Sequence, residues 1–323
     1  MYSNNSGVRD DFILPSGTDN PPGKIIHSAR ELSEYARQTT ERHKFVKKWK
    51  IGRSVLGKPI HAFEIGWGRE SLLLNAAHHA NEYITASLLT GFLTEYAEAV
   101  ALGGKIGGIR ARELFFSTKM FFVPLVNPDG VELVTGALRP GAHFDSARAI
   151  AARYPEIPFP RGWKANIRGV DLNLQYPAGW ERAREIKGAA GFDGPSPRDW
   201  PGEAPLSEPE SRALYDYTRK IKPRLTLSFH TQGEVIYWKY ADREPPRSRE
   251  LAERLARVSG YEMEETPYSS GFAGYKDWYI SEYDLPGYTI EAGLGEFPLP
   301  ENQFGEMYDA CRAIICEAAR RVK

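Results

Sequence analysis

Short apolar runs that stop on a polar or charged residue set the strongest limit on what this chain can fold into. Ser71–Ala77 (SLLLNAA), Met120–Val126 (MFFVPLV), Arg224–Phe229 (RLTLSF) and Tyr288–Glu291 (YTIE) are too short for buried helices, and their composition suits strands covered on both faces. His61–Gly66 reads as a further short strand. Between these runs lie stretches of helical period: a Ser-capped segment from Ser28, Ile84–Val100 closed by Gly103-Gly104, Glu208–Lys220, Ser248–Val258 and Glu301–Val322. Strands alternating with helices, without an internal repeat, predict an α/β fold: a single domain whose central mixed, largely buried β-sheet is flanked by helices.

Two segments depart from this pattern. Residues 1–22 are rich in Asn, Ser, Gly, Asp and Pro and predict a flexible N-terminal tail, which leaves 23–323 as the folded domain. From Arg139 to Trp200 the chain is rich in Pro, Gly, Arg and Trp with weak periodicity, and predicts a long irregular insertion, which is uncommon unless it builds a site. Asn127-Pro128-Asp129-Gly130 reads as a turn directly after an apolar strand.

Composition excludes several classes of function. Lys plus Arg number 42 and Asp plus Glu number 42, so no net field draws the chain to nucleic acid or to an anionic membrane. No apolar run approaches the ~18 residues that a spanning helix needs. The two cysteines, Cys311 and Cys316, rule out a disulfide framework and read as ordinary helix residues in a reducing compartment. The N-terminal sequence lacks the basic start and apolar core of a secretory signal. A cytoplasmic location is therefore expected, with export behind a removed leader as the alternative; nothing in the sequence sets an oligomeric state.

Histidines at strand ends give the first chemical signal. His78 and His79 follow one apolar strand and His230 closes another. His79-Ala80-Asn81-Glu82 places an imidazole and a carboxylate three residues apart at a strand-to-helix step, where both can reach one ion. Such a pair is common by chance, and its weight comes from His230: two His and one Glu leave the fourth zinc position open, as hydrolytic sites require. A hydrolase also needs a carboxylate that is not a ligand, and Glu291, at the end of another apolar strand, suits that role.

With these residues in view, the chain resembles the zinc carboxypeptidases, and among them the bacterial γ-D-glutamyl-L-diamino acid endopeptidases that cut cell-wall peptides. The resemblance runs from about Lys24 to the C-terminus through eight ordered segments: IGRSVLGKPI (51–60), HHANE (78–82), VNPDGVEL (126–133), WKANIRGVDLN (163–173), LSEPES (206–211), SFHTQG (228–233), GYKDW (274–278) and TIEAG (289–293). It implies one Zn2+ per chain held by His79, Glu82 and His230, with Glu291 as general base and acid and His78 as a neighbour. It also implies that Lys164 stands where the family uses an Arg to stabilise the oxyanion; lysine keeps the charge without the bidentate fork. Asn173 and Gln175 fall among substrate-binding positions, Lys276 near the position that selects the side chain beside the cleaved bond, and Tyr268 resembles the tyrosine of the family's flap.

One departure narrows the expected activity. Typical carboxypeptidases carry Asn-Arg-Asn where this chain has Asn173-Leu174-Gln175, and a leucine cannot hold a terminal carboxylate. The expected reaction is hydrolysis of the amide between γ-D-glutamate and meso-diaminopimelate or L-Lys in peptidoglycan-derived peptides. The alternatives are a metallocarboxypeptidase releasing a C-terminal, acidic residue through Lys276, and a non-catalytic module that binds muropeptides. The expected partner is a peptide or muropeptide, with no nucleic acid and no membrane. The tryptophans at 163, 180, 200, 238 and 278 read mainly as packing for the loop-rich half.

Overall fold

In the computed structural model, which describes residues 24–322, the strands are β1 (Lys47–Arg53), β2 (Pro59–Ile65), β3 (Glu70–Ala76), β4 (Lys105–Ile106), β5 (Ile109–Arg110), β6 (Thr118–Val123), β7 (Leu225–His230), β8 (Val235–Tyr237), β9 (Glu262–Glu264) and β10 (Gly287–Glu291). The expected tail, residues 1–22, lies outside the described residues. β4 and β5 pair as a separate ribbon, and the other eight strands form one sheet in the order β1-β2-β6-β3-β7-β10-β8-β9. Its centre, β6-β3-β7-β10, is parallel, with antiparallel pairing between β2 and β6 and between β10 and β8. The expected α/β class and mixed central sheet are borne out.

Alternation along the central strands decides where the site lies. Leu72, Leu74, Leu225, Leu227, Phe229, Tyr288 and Ile290 face one layer, packed with the helices Ala29–Arg42, Ile84–Leu102 and Phe304–Arg321. Leu73, Phe121 and Val123 face the other, against Pro209–Ile221 and Tyr275–Tyr283. On this second face the register aligns Asn75, Ser228 and Thr289 in one polar row, and one step further along aligns His230 with Glu291. The carboxyl ends of parallel strands therefore carry a polar edge, the usual place for a ligand crevice in an open α/β sheet.

Three local expectations are corrected. β6 stops at Val123, before Pro124, which has no N–H for the ladder. Asn127-Pro128-Asp129-Gly130 is not a free turn but the start of helix Pro128–Thr135: the Asn127 side chain accepts the Gly130 N–H at 3.0 Å, and Pro128 takes the first helical position. A Cβ at Gly130 would lie 2.6 Å from the Ala165 carbonyl oxygen, so the helix docks there only with glycine. The Arg139–Trp200 segment is not wholly irregular, since it holds helices Ala142–Ala151 and Trp180–Ala189. Trp163, Trp180, Trp200, Trp238 and Trp278 are all buried, and Cys311 and Cys316 are free and buried. No described helix is long and apolar enough to cross a membrane.

Candidate metal centre and its cleft

β3 ends at Ala76, and Ala77 turns the chain with a left-handed φ of 52°. A single 3-10 turn, Ala80–Glu82, follows, with the Ala80 N–H donating to the Lys164 carbonyl at 2.9 Å. That turn puts His79 and Glu82 on one side of the backbone, directly beside His230 at the end of β7, the hydrogen-bonded neighbour of β3. The His79 Nδ1 lies 2.9 Å from Glu82 Oε1, the His230 Nδ1 lies 3.0 Å from Glu82 Oε2, and the two Nδ1 atoms are 3.3 Å apart.

The donors converge as a shared ion requires, the two imidazole nitrogens at the spacing of a tetrahedral site and the carboxylate oxygens a few tenths of an ångström closer. Ligand bonds of about 2.0–2.2 Å in a tetrahedron place donor atoms roughly 3.3–3.6 Å apart. Two imidazole nitrogens and a carboxylate are also a zinc donor set, and they form the one such His/Cys/Asp/Glu group of three or more among the described residues. The donors therefore fit zinc in chemistry and in convergence on one point, with the Glu82 oxygens slightly inside the spacing that a bound ion sets.

Asp171 completes the surroundings. Its Oδ1 lies 3.1 Å from the His79 Nε2, and its oxygens also accept the N–H of Asn173 and of Asp199, each at 3.1 Å. With Nε2–H held by Asp171, Nδ1 of His79 faces Glu82 and His230, and it would become a lone-pair donor when a metal displaces its proton. Burial alone would lower the His79 pKa, but the carboxylates of Glu82 and Asp171 outweigh it and lift the ring to about 9. Burial pushes Glu82 and Asp171 upward, yet His79 and Lys164 hold both carboxyls well below the usual range. His78 is a different case: burial and the neighbouring imidazoles keep it neutral, its Nε2 pairs with the Tyr176 hydroxyl at 2.9 Å, and its ring stacks on His230.

The expected site residues divide by position. Glu291, Lys164, Asn173 and Lys276 line one cleft of about 210 Å³ together with His79, Asp171, Leu174, Lys187, Arg198 and Thr289. Burial raises the Glu291 carboxyl, with His230 opposing and Glu82 adding. Lys164 Nζ lies 3.0 Å from Glu82 Oε1 and 4.5 Å from the centre of the Phe297 ring. Lys276 is buried, paired with Asp277 and donating to the Lys239 carbonyl at 2.7 Å. Asn173 accepts the Tyr275 N–H at 3.0 Å.

Gln175 and Tyr268 stand apart from the cleft. The Gln175 amide donates to the carbonyls of Pro201 and Ala204 and accepts from Ser207 Oγ and the Glu208 N–H, so it ties the 201–208 loop. Tyr268 is 64% exposed, and its hydroxyl accepts from Arg182 Nε at 3.0 Å. Asp171, which contacts the His79 ring, is not singled out as a site residue by the sequence pattern; the available clue is its place seven residues after Lys164.

Comparison with known proteins agrees with this architecture. The zinc carboxypeptidase family pattern matches residues 32–310. The chain is 41% identical over 271 residues to gamma-D-glutamyl-L-diamino acid endopeptidase 1 of Lysinibacillus sphaericus, covering 84% of this chain and 66% of that protein. It is 30% identical over 219 residues to murein peptide amidase A of Escherichia coli K12, covering 64% of this chain and 65% of that protein. The crystal structure of carboxypeptidase A from Helicoverpa armigera shares the fold with a TM-score of 0.66 at 18% identity, covering 92% of this chain and 74% of that one.

Proposed function

The chain belongs to the zinc carboxypeptidase family and is a peptidase, and from that premise we propose that it hydrolyses the amide between γ-D-glutamate and meso-diaminopimelate or L-Lys in peptidoglycan-derived peptides. The observation that carries the proposal is the meeting of the His79, Glu82 and His230 donors beside Glu291 at one end of the sheet. The name of the relative at 41% identity supports the choice of bond. So does Leu174, an apolar side chain in the cleft wall where removal of an ordinary C-terminal residue calls for a carboxylate clamp.

In this reading His79, Glu82 and His230 hold one zinc ion, and the catalytic domain spans 23–323. When bound, the ion supplies Lewis-acid polarisation of a carbonyl and acidification of water. Asp171 fixes the His79 ring so that Nδ1 is the donor. Glu291, its carboxyl raised by burial, takes the proton from the attacking water and passes it to the departing amine. Lys164 places a positive charge beside the carbonyl oxygen as it gains negative charge. Lys276 and Asn173 line the wall along which the substrate lies.

The test uses the zinc-loaded protein and L-Ala-γ-D-Glu-L-Lys-D-Ala, with products identified by mass. Appearance of L-Ala-D-Glu together with L-Lys-D-Ala is the expected result, abolished by a chelator and restored by zinc. Release of D-Ala alone would make the protein a carboxypeptidase, and binding without products a recognition module.

A further inference from the structure

Two cations of the cleft, Lys187 and Arg198, have no part in the roles above, and Lys187 is spent on Asp199. Arg198 sits on the 196–199 segment, which is pinned on two sides. The N–H groups of Lys164 and Ala165 donate to the Pro197 carbonyl at 2.8 and 2.9 Å, and the Asp199 N–H donates to Asp171 Oδ2. The segment is therefore tied both to the stretch of chain that carries Lys164 and to the carboxylate that orients His79. Asp199 holds a left-handed φ of 66°, a region that Asp enters more readily than most L residues.

The charges around Arg198 leave it with capacity to spare. Asp199 is shared: its Oδ2 accepts from Arg198 Nε, and its Oδ1 lies 2.7 Å from Lys187 Nζ. Of the other acids of the cleft wall, Asp171 is committed to His79 and Asp277 to Lys276, and Glu291 forms no ion pair with Arg198. Arg198 keeps 40% of its side chain exposed, and its two terminal nitrogens make no hydrogen bond among the described residues. It is the one arginine among the described residues lining the cleft, and Leu174 in the same wall offers a carboxylate nothing. A guanidinium with Nε satisfied and both terminal nitrogens free presents a planar fork matched to a carboxylate.

We propose that Arg198 is the carboxylate receptor of this cleft, holding a free carboxylate of the peptide through both terminal nitrogens and so selecting acid over amide at that position; this rests on the reading of the cleft as a γ-glutamyl peptidase site. Two carboxylates are candidates for the bound group: the α-carboxylate of the D-Glu residue, which leaves the cleft without a terminal clamp, and the carboxylate of the diamino-acid side, in which case Arg198 supplies the clamp that Leu174 does not.

The experiment compares L-Ala-γ-D-Glu-L-Lys with two amidated forms, one at the D-Glu α-carboxylate and one at the C-terminus, for the wild type, Arg198→Ala and Arg198→Lys. Removing one charge-assisted hydrogen-bonded pair corresponds to a fall of roughly 10- to 100-fold in kcat/KM. Arg198→Ala is expected to show that fall on the acid peptide, mostly through KM, and none on the peptide amidated at the bound position. Arg198→Lys recovers part of the loss. Lys187 continues to neutralise Asp199 in both variants, so zinc content and melting temperature stay at wild-type values. Equal losses on acid and amide peptides, or no loss on either, overturn the proposal.

Calorimetric titration of the same peptides into the zinc-loaded Glu291→Gln protein, with and without Arg198→Ala, separates the receptor role from the proposed reaction. Absence of turnover by the wild type, with acid-selective binding that depends on Arg198, removes the proposed reaction and keeps the receptor. Binding indifferent to amidation removes the receptor.

Discussion

Asp171 Oδ1 lies 3.1 Å from Nε2 of His79, on the opposite side of the ring from the 2.9 Å approach of Nδ1 to Glu82. An imidazole held in this way by a carboxylate has one tautomer and one orientation, and both favour donation from Nδ1. Asp171 also receives the backbone N–H groups of Asn173 and Asp199, so one side chain sets the ring and the two loops around it.

Replacing Asp171 by Asn keeps a single acceptor oxygen but removes the charge that holds the His79 N–H. Zinc affinity is expected to fall roughly 10- to 100-fold, read by competition against a chelator of known affinity. Wild-type affinity in this variant would make Asp171 a loop anchor without influence on the metal.

Glu291→Gln tests the proton-transfer role. Glu291 lines the cleft but is outside the converging donor set. The variant should therefore keep one zinc per chain while kcat falls by about 10²–10⁴. Metal analysis and steady-state kinetics on the γ-linked peptide measure both. Loss of zinc along with activity would instead place Glu291 among the ligands.

Lys164→Met tests the positive charge beside the reacting carbonyl. Removing one group of this kind costs about 10²–10³ in kcat, with zinc content unchanged. Lys164→Arg, which restores the charge, should return most of the activity. An unchanged kcat in the Met variant rules out a contribution from Lys164 to the transition state.

The positions of the parallel strands and the metal triad are legible in the sequence because strand ends carry their own signal. Leu225–His230 is apolar at every second residue and polar at the others, and the polar set ends on His230. The insertion is harder to read. Helix Ala142–Ala151 buries only Ala147 and Ala151, and Trp180–Ala189 only Trp180 and Ala183, so neither carries an apolar stripe wide enough to show as helical period. Asn127-Pro128-Asp129-Gly130 has the composition of a turn and of a helix start alike, and only the docking of Gly130 on Ala165 separates the two. The inward turn of Gln175 depends on four partners between residues 201 and 208, which no local pattern announces.

Away from the metal, Glu210 makes stability depend on pH. Its side chain is fully buried, with Oε1 accepting the Val55 N–H at 3.0 Å. Burial lifts its carboxyl from 4.5 to about 7; the Val55 N–H opposes this, and the charges of Asp129 and Glu208 add to it. Between those two values the folded protein holds a proton that the unfolded chain has released. Stability therefore declines as pH rises through the window, and above about 7 the whole cost of the buried charge is present. Glu210→Gln removes the titration while keeping an acceptor for Val55. The variant should match the wild type near pH 4.5 and exceed it at pH 8 by on the order of 3 kcal/mol. Urea unfolding of both proteins across that range measures the difference at each pH. A difference that does not change with pH would show that Glu210 does not titrate within it.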